Sequence, residues 1–186
     1  MRALVEMMVC LSLDGRLSTA DDAPPNQEKR GGWTSEEDKE YLKEAVARAN
    51  MIIMGRKTAE MAPNFKKDVA IISRQDNITT RQTGEIGIVR PERIEMFQLL
   101  DMLYKAEVGG GRALLFGGAQ TYALFLQNDL VDSIRMTLEP AVLQTGPALG
   151  FNGLFNTEAT VNKFTLMDIT RMNRRGSLQL LYERAR

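Results

Sequence analysis

Short β-prone apolar runs alternate with longer segments of helical spacing through much of this chain. The helical segments, in which apolar residues recur every three or four positions, are Ser35–Ala49, Glu92–Glu107 and Ala119–Leu130. The β-prone runs around them are Ala3–Leu13, Met51–Met54, Val69–Ile72, Ile86–Val89 and Ala113–Phe116. Neighbouring parallel strands need a crossover connection, usually a helix, so this order predicts a mainly parallel central sheet flanked by helices. The fold class is therefore α/β.

The end of the chain has a different pattern. The runs Asp132–Glu139, Asn162–Arg171 and Ser177–Arg184 read as strands, and Met172–Gly176 is typical of a turn between the last two. Thr19–Gly32 combines Asp, Pro and Gly without periodic apolar residues, which predicts a loop. Since no linker divides the chain, we expect residues 1–186 to form a single domain that ends in an antiparallel hairpin.

The chain contains no histidine and only one cysteine. A Ser-His-Asp hydrolase, a histidine general base and a zinc site of His or Cys ligands are therefore excluded, and we expect no metal. Catalysis would have to use carboxylates, Lys, Tyr, hydroxyls, backbone amides or a bound organic cofactor.

Charge and hydropathy restrict the partners and the location. The 24 Lys and Arg residues balance 24 Asp and Glu residues, which gives no indication of nucleic-acid binding. No apolar run approaches the roughly 18 residues of a membrane span, and the first residues lack a signal-peptide core. A single cysteine cannot form an internal disulfide, which favours a reducing compartment. We expect a soluble cytoplasmic protein that binds a small molecule, without nucleic acid or membrane.

Three strand ends carry residues suited to anions. Gly55, Arg56, Lys57 and Thr58 follow one run, and Ser73 and Arg74 follow another. Gly117 and Gly118 separate a third run from the helix that begins with Ala119 and Gln120. Glycines let a ligand approach the backbone, and a helix start offers unpaired N–H groups. Each feature could equally be a tight turn or solvated surface, although three at successive strand ends predict a phosphate-binding edge. The G-x-G-x-x-G fingerprint is absent.

The helix at Ser35–Ala49 contains a candidate acid. Thr34 as N-cap and Glu37 three residues later fit a capping box. At ~100° per residue, Asp38 falls within roughly 10–20° of the mean direction of the apolar stripe and should face inward. It is either a carboxylate satisfied by first-turn amides or an acid that holds or protonates a polar heterocycle. Two further residues have an ordinary alternative: Trp33 could pack on the core and Asp14 could form a turn, or both could line the pocket.

These motifs, in order along the chain, resemble a known group of enzymes. The matching stretches are Ser12–Arg16, Trp33–Ser35, Ile53–Thr58, Ser73–Arg74, Leu115–Gly118, Leu130–Asp132 and Glu139–Pro140. The set is similar to the dihydrofolate reductase-like superfamily, and more closely to the riboflavin-biosynthesis reductases that form one domain of bifunctional deaminase-reductases. The resemblance implies a dihydrofolate reductase-like fold and an NADPH-dependent reductase, commonly a homodimer. With no deaminase zinc signature in the chain, we expect a stand-alone reductase.

The resemblance also implies roles for the residues already singled out. Cofactor binding would fall to Gly55, Arg56, Lys57, Thr58, Ser73 and Arg74, with Gly117, Gly118, Ala119 and Gln120 at the pyrophosphate of NADPH. An arginine against a phosphate favours NADPH over NADH. Asp38 and Asp14 would be the catalytic residues, and Trp33 and Ser35 would bind substrate.

The resemblance leaves the substrate open. Ser12–Gly15 and Leu130–Asp132 look like pyrimidine reductases such as 5-amino-6-(5-phosphoribosylamino)uracil reductase, which reduce a ribosylamino side chain. Trp33 and Asp38 instead have the separation of the tryptophan and acid that flank the pterin in dihydrofolate reductases. After Thr58, the acid, proline and Leu-Thr run expected in pyrimidine reductases is replaced by Ala59–Pro63. The alternatives are a pyrimidine-type reductase, a dihydrofolate reductase, and a non-catalytic nucleotide-binding protein of the same fold.

Overall fold

The computed structural model describes residues 2–18, 32–84, 86–107, 110–149 and 164–185. The strands are β1 (Leu4–Ser12), β2 (Met51–Gly55), β3 (Asp68–Ile72), β4 (Ile86–Val89), β5 (Arg112–Gly117), β6 (Ser133–Glu139), β7 (Phe164–Arg171) and β8 (Leu178–Arg184). The helices are α1 (Glu36–Arg48), α2 (Arg56–Met61), α3 (Arg93–Ala106) and α4 (Ala119–Gln127).

All these strands belong to one sheet with the order β4-β3-β2-β5-β1-β6-β8-β7. The strands from β4 to β6 in that order pair in parallel. β8 is antiparallel to both β6 and β7. The predicted α/β class, with a parallel core and a C-terminal antiparallel hairpin, is confirmed.

Apolar side chains cover both faces of the central strands, as a parallel sheet requires. On one face, Val5 and Met7 of β1 belong to a buried cluster with Leu100 of α3 and Phe125 of α4. On the other face, Met8 of β1 packs with the apolar side of α1. The two faces alternate residue by residue because successive strand side chains point to opposite sides.

The beginning of α1 differs from the prediction. The N-cap is Ser35, whose side chain accepts a hydrogen bond from the Asp38 amide, so the box built on Thr34 and Glu37 is wrong by one residue. The physical reason is tertiary: both the amide and the hydroxyl of Ser35 donate to Glu139 at the end of β6, which holds this residue at the helix start.

The end of α4 also differs from the prediction. The helix predicted to reach Leu130 ends at Gln127, because Asn128 is the C-cap and Asp129 has a φ of 60°. The predicted loop residues 19–31 and the first two residues of the strand predicted from Asn162 lie outside the described residues. None of the helices described here is long and apolar enough to cross a membrane.

Candidate active site

The predicted site residues lie along the carboxyl edge of the parallel strands. Arg74 follows β3, Gly55 ends β2, Gly117 ends β5 and Asp14 follows β1. These strands are consecutive neighbours, so β3 and β1 are three strand spacings apart, roughly 14 Å. In an open α/β sheet, ligands bind at this edge.

The glycines at the centre of the edge are held close to two threonines. The Gly118 amide donates a 2.8 Å hydrogen bond to Thr58 Oγ1, which joins the start of α4 to α2. A Cβ at Gly118 would lie 3.1 Å from Thr58 Oγ1, and one at Gly55 would lie 2.5 Å from Thr121 Oγ1. Larger residues at these positions would fill the space between the two strand ends.

Gly117 is required by conformation as well as by space. Its φ is +109°, the peptide bond to Gly118 is cis, and an added Cβ would lie 2.8 Å from the Tyr122 ring. The Thr121 and Tyr122 amides donate to the Gly118 carbonyl. This leaves the amides of Ala119 and Gln120 without an acceptor in the described part of the chain, at the positive end of the α4 dipole.

The basic residues of this edge differ in their availability. Arg56 is ion-paired with Glu60 at 2.7 Å, whereas the exposed Arg74 side chain has no ion pair among the residues described. Ser73 is buried, and its hydroxyl donates to the carbonyl and accepts from the amide of Gln75, both at 2.9 Å. Ser73 therefore shapes the turn that presents Arg74. Lys57 is exposed on the first turn of α2.

Arg90, which follows β4, is a further basic residue at this edge, and no motif in the sequence predicted it. Its guanidinium forms a 2.6 Å ion pair with Asp76 and donates to the Arg74 carbonyl oxygen. The two arginines meet because β3 and β4 are parallel neighbours and Ile72 is opposite Val89.

Asp38 is the buried acid of the site, and its predicted inward orientation is confirmed. The residue is 8% exposed and faces Cys10 of β1 and Thr137 of β6, which are opposite each other in the sheet register. The side chains of Thr137 and Cys10 face this carboxyl group and lower its pKa, whereas Oδ1 is buried with no hydrogen-bond partner in the part described. Burial is the largest effect and raises the pKa of Asp38, and the negative charge of Glu139 adds to it.

Cys10 and Thr137 were not predicted as site residues. Burial, followed by the charge of Asp38, raises the pKa of the Cys10 thiol, which therefore stays protonated and can donate. Thr137 could have been found only through Glu139, because two residues apart on a strand share one face.

The structure places the two predicted substrate residues at the start of α1. Trp33 is half-buried just before the cap. The Ser35 hydroxyl is engaged within the protein, since it donates to Glu139 Oε1 at 2.6 Å and accepts from the Asp38 amide.

Asp14, predicted as catalytic, holds a loop. Its carboxylate accepts from the Ser12 hydroxyl at 2.6 Å and from the amides of Leu143 and Gln144 at 3.0 and 2.9 Å. The Ser12 bond, and then the Leu143 bond, lower the pKa of Asp14 to about 2. No hydrogen bond joins Asp14 to Asp38, so the structure does not bring the two carboxylates together as one unit.

No group of three or more potential metal ligands of the His, Cys, Asp or Glu type is found within the described ranges. The candidate site described here brings together cations, backbone amides and the buried carboxyl groups of Asp38 and Glu139.

Comparison with solved structures places this arrangement in a class. Dihydrofolate reductase from Enterococcus faecalis, in complex with NADP(H), matches with a TM-score of 0.65 at 12% identity, over 98% of this chain and 97% of that one. RibD from Acinetobacter baumannii matches with a TM-score of 0.73 at 19% identity over 100% of this chain. A riboflavin biosynthesis protein from Shewanella sp. PV-4 matches with a TM-score of 0.66 at 20% identity, over 98% of this chain and 99% of that one. The fold is that of the dihydrofolate reductase-like α/β proteins.

The family follows from the sequence itself. The model of the RibD C-terminal domain matches residues 3–175, so the chain belongs to that riboflavin-biosynthesis family, as the motifs suggested. The chain spans 59% of the length of the Acinetobacter baumannii RibD chain. Comparison with curated protein sequences finds no match.

Proposed function

We propose that this protein is an NADPH-dependent reductase that acts on a ribosylamino-pyrimidine or a related heterocycle. It would resemble 5-amino-6-(5-phosphoribosylamino)uracil reductase in reducing an imine-like carbon. The observation that carries the proposal is the order of groups along one sheet edge: the exposed Arg74 after β3, the glycine turn at β5, and the buried Asp38 over β1 and β6.

The residues of the edge fit the parts of NADPH in that order. Arg74, exposed and without an ion pair among the described residues, would face the 2′-phosphate, with Lys57 exposed at the start of α2. The amides of Ala119 and Gln120 would bind the pyrophosphate. They follow Gly118, whose own amide is held by Thr58, at the start of α4. Gly55 and Gly117 allow Thr121 and Tyr122 of α4 to pack closely against the two strand ends, which fixes the start of this helix. When bound, the nicotinamide would supply the hydride.

Asp38 would anchor the substrate and provide a proton. Reduction of an imine-like carbon by hydride also adds a proton at nitrogen, and a raised pKa keeps this carboxyl protonated to a higher pH than usual. Its unpartnered Oδ1 provides a polar atom for the heterocycle. Trp33, which precedes the same helix, would line the substrate pocket with its aromatic ring. Asp14 would hold the segment of residues 141–147 after β6, here called the rim loop.

Dihydrofolate reductase is the second candidate, because one observation favours it. A buried carboxyl group beside a threonine hydroxyl, as in Asp38 and Thr137, suits the amidine edge of a pterin, which donates two parallel hydrogen bonds. The two activities differ in substrate and share the cofactor.

The test combines cofactor binding with turnover. We expect NADPH to quench protein fluorescence and raise Tm, and Arg74→Gln to weaken NADPH binding about 10- to 100-fold, in line with the loss of a charged hydrogen bond. NADH binding should change little in that variant. Arg48→Gln is the matched control, because Arg48 lies at the opposite end of the sheet, on the last turn of α1.

Turnover is then followed as loss of NADPH absorbance with the phosphoribosylamino-uracil and with dihydrofolate. Oxidation with the former supports the pyrimidine reductase, and oxidation with the latter supports the alternative. Binding of NADPH without oxidation by either would favour the non-catalytic protein, and absence of NADPH binding would contradict the cofactor assignment.

We also propose that the protein is a cytoplasmic homodimer. Its single cysteine suits a reducing compartment. The edge strand β7 exposes the large apolar side chains of Leu166, Met167 and Ile169, which supports a second copy as a partner at this strand.

A further inference from the structure

The helix start at Ser35 lacks one half of a capping box. In the complete motif, the N-cap side chain binds the amide of the third helical residue, whose acid reaches back to the N-cap amide. Here Ser35 Oγ accepts from the Asp38 amide at 3.3 Å, but the Ser35 amide donates to Glu139 Oε1 at 2.7 Å. The carboxyl group of Asp38 is instead turned toward Cys10 and Thr137.

Glu139 is held by hydrogen bonds from the start of α1 and from the residue before β8. It is 2% exposed at the end of β6 and accepts three hydrogen bonds, from the Ser35 amide, the Ser35 hydroxyl at 2.6 Å and the Ser177 hydroxyl at 2.5 Å. Ser177 in turn accepts from Asn173 Nδ2 at 2.9 Å, inside the turn between β7 and β8. Asn173 also donates to Glu37 at 3.1 Å.

We propose that Glu139 is a positioning residue: by taking the amide half of the capping box, it leaves the carboxyl group of Asp38 free for substrate. The inference rests on the proposed role of Asp38. The Ser177 bond makes this arrangement depend on the C-terminal hairpin, because that hydroxyl fixes the second oxygen of Glu139.

The negative charge of Glu139 also favours the protonated form of Asp38. The titratable or charged groups that face Asp38 are Cys10 from β1, Glu139 from β6, Lys39 from its own helix and Tyr122 from α4. Glu139 raises the pKa of Asp38 by repulsion, whereas Lys39 lowers it. A carboxylate at this position thus both frees the acid and favours its protonated form.

The experiment titrates the carboxyl group of Asp38 by carbon NMR of Asp-labelled protein, without cofactor or substrate. In Glu139→Gln the amide oxygen still accepts from Ser35 but the charge is lost, so the Asp38 midpoint should fall. In Glu139→Ala the Ser35 amide has no acceptor and should draw in the Asp38 carboxylate, so the midpoint should fall further. Glu44→Gln, the same chemical change on the exposed side of α1, should leave the midpoint unchanged.

Turnover is measured in parallel as a pH profile. Glu139→Ala should lower kcat about 10-fold or more and move the high-pH limb to lower pH, and Glu139→Gln should recover part of kcat but not the pH position. Equal Asp38 midpoints in Glu139→Gln and Glu139→Ala would overturn the inference. If Glu139→Ala does not fold, a kcat of Glu139→Gln as low as that of Asp38→Asn would overturn it, because Gln still accepts from the Ser35 amide. An inactive wild type with the expected order of midpoints would contradict the proposed function and leave this inference standing.

Discussion

Asp38 combines burial, a carboxyl oxygen without a partner and a raised pKa. Burying an ionised carboxylate without full hydrogen bonding is costly, and proteins tolerate such groups mainly where they have a task. The polar side chains of Thr137 and Cys10 beside it reduce the cost without removing it. Asp38 is therefore expected to stabilise the fold less when it is ionised than when it is protonated.

This expectation has a definite sign. Because the folded-state pKa lies above the unfolded value, the favourable contribution is fully present below the unfolded pKa and is lost as pH rises through the folded pKa. Asp38→Asn should therefore raise Tm relative to wild type above neutral pH, and the difference in Tm should be smaller near pH 4. For a protein of this size, each kcal/mol of stability corresponds to roughly 2–4 °C in Tm. The same variant should lose roughly 10²- to 10⁴-fold in kcat.

Calorimetry across pH checks the stability part of this prediction. Glu44→Asn, at an exposed position of the same helix, serves as the control and should show no pH-dependent gain. A uniform loss of Tm in Asp38→Asn at every pH would show that the carboxyl group is a structural requirement and not a cost to the fold.

At the scale of elements, the segment after β6 is tied to the turn after β1. The Leu13 amide donates to the Ala141 carbonyl at 2.7 Å, and the Leu17 amide donates to Pro147 at 2.8 Å. Between these two backbone bonds, the carboxylate of Asp14 caps the amides of Leu143 and Gln144. Asp14 is thus a side-chain anchor of this rim loop, together with Arg16, whose guanidinium donates to the Gly146 carbonyl at 2.8 Å.

Asp14→Ala should release that loop locally. We expect hydrogen exchange at the Leu143 and Gln144 amides to become about 10-fold faster, since each loses a bond to a charged acceptor. Amides in β1 should keep their protection. Glu40→Ala, which removes another exposed carboxylate, should leave the loop amides as slow as in the wild type. Unchanged exchange in Asp14→Ala would show that the backbone bonds and Arg16 hold the segment without Asp14.

At the scale of the whole molecule, β7 ends the sheet opposite β4. A free edge with exposed apolar side chains is prone to pairing, and Met167 and Ile169 are each 55% exposed. The helices cover the parallel strands. Within the described residues, the main packing partner of β7 is its neighbour β8, and no helix packs extensively on β7. This asymmetry is what supports the proposed homodimer.

Light scattering after size-exclusion chromatography tests the dimer. The wild type should have twice the mass of the chain, and Ile169→Asp should shift it toward the monomer by placing a charge on the apolar edge. Met102→Asp alters an equally apolar side chain on α3, 67% exposed, and should remain dimeric. A monomeric wild type would contradict the proposal.

Local patterns predicted more of the fold than of the site. The spacing of the apolar residues around Tyr41 and Ala45 was enough to predict that Asp38 faces inward, because the buried face of a helix follows from its local sequence. The cap at Ser35 was missed, since Thr34 and Ser35 are equally good caps by type and the choice depends on Glu139, 104 residues away. Arg90 was missed for a similar reason, as only the pairing of β3 with β4 brings it to Arg74.

The amino-acid sequence by itself determined the α/β class, the position of the strand ends and which basic and glycine residues lie beside them. These are properties of short segments, set by periodicity, glycine conformation and charge. Only the tertiary structure decided that Cys10, Thr137 and Glu139 surround Asp38, that Ser73 and Asp14 support turns, and that Arg56 is paired. Those outcomes depend on strand order and register, which long-range packing selects and no local pattern encodes.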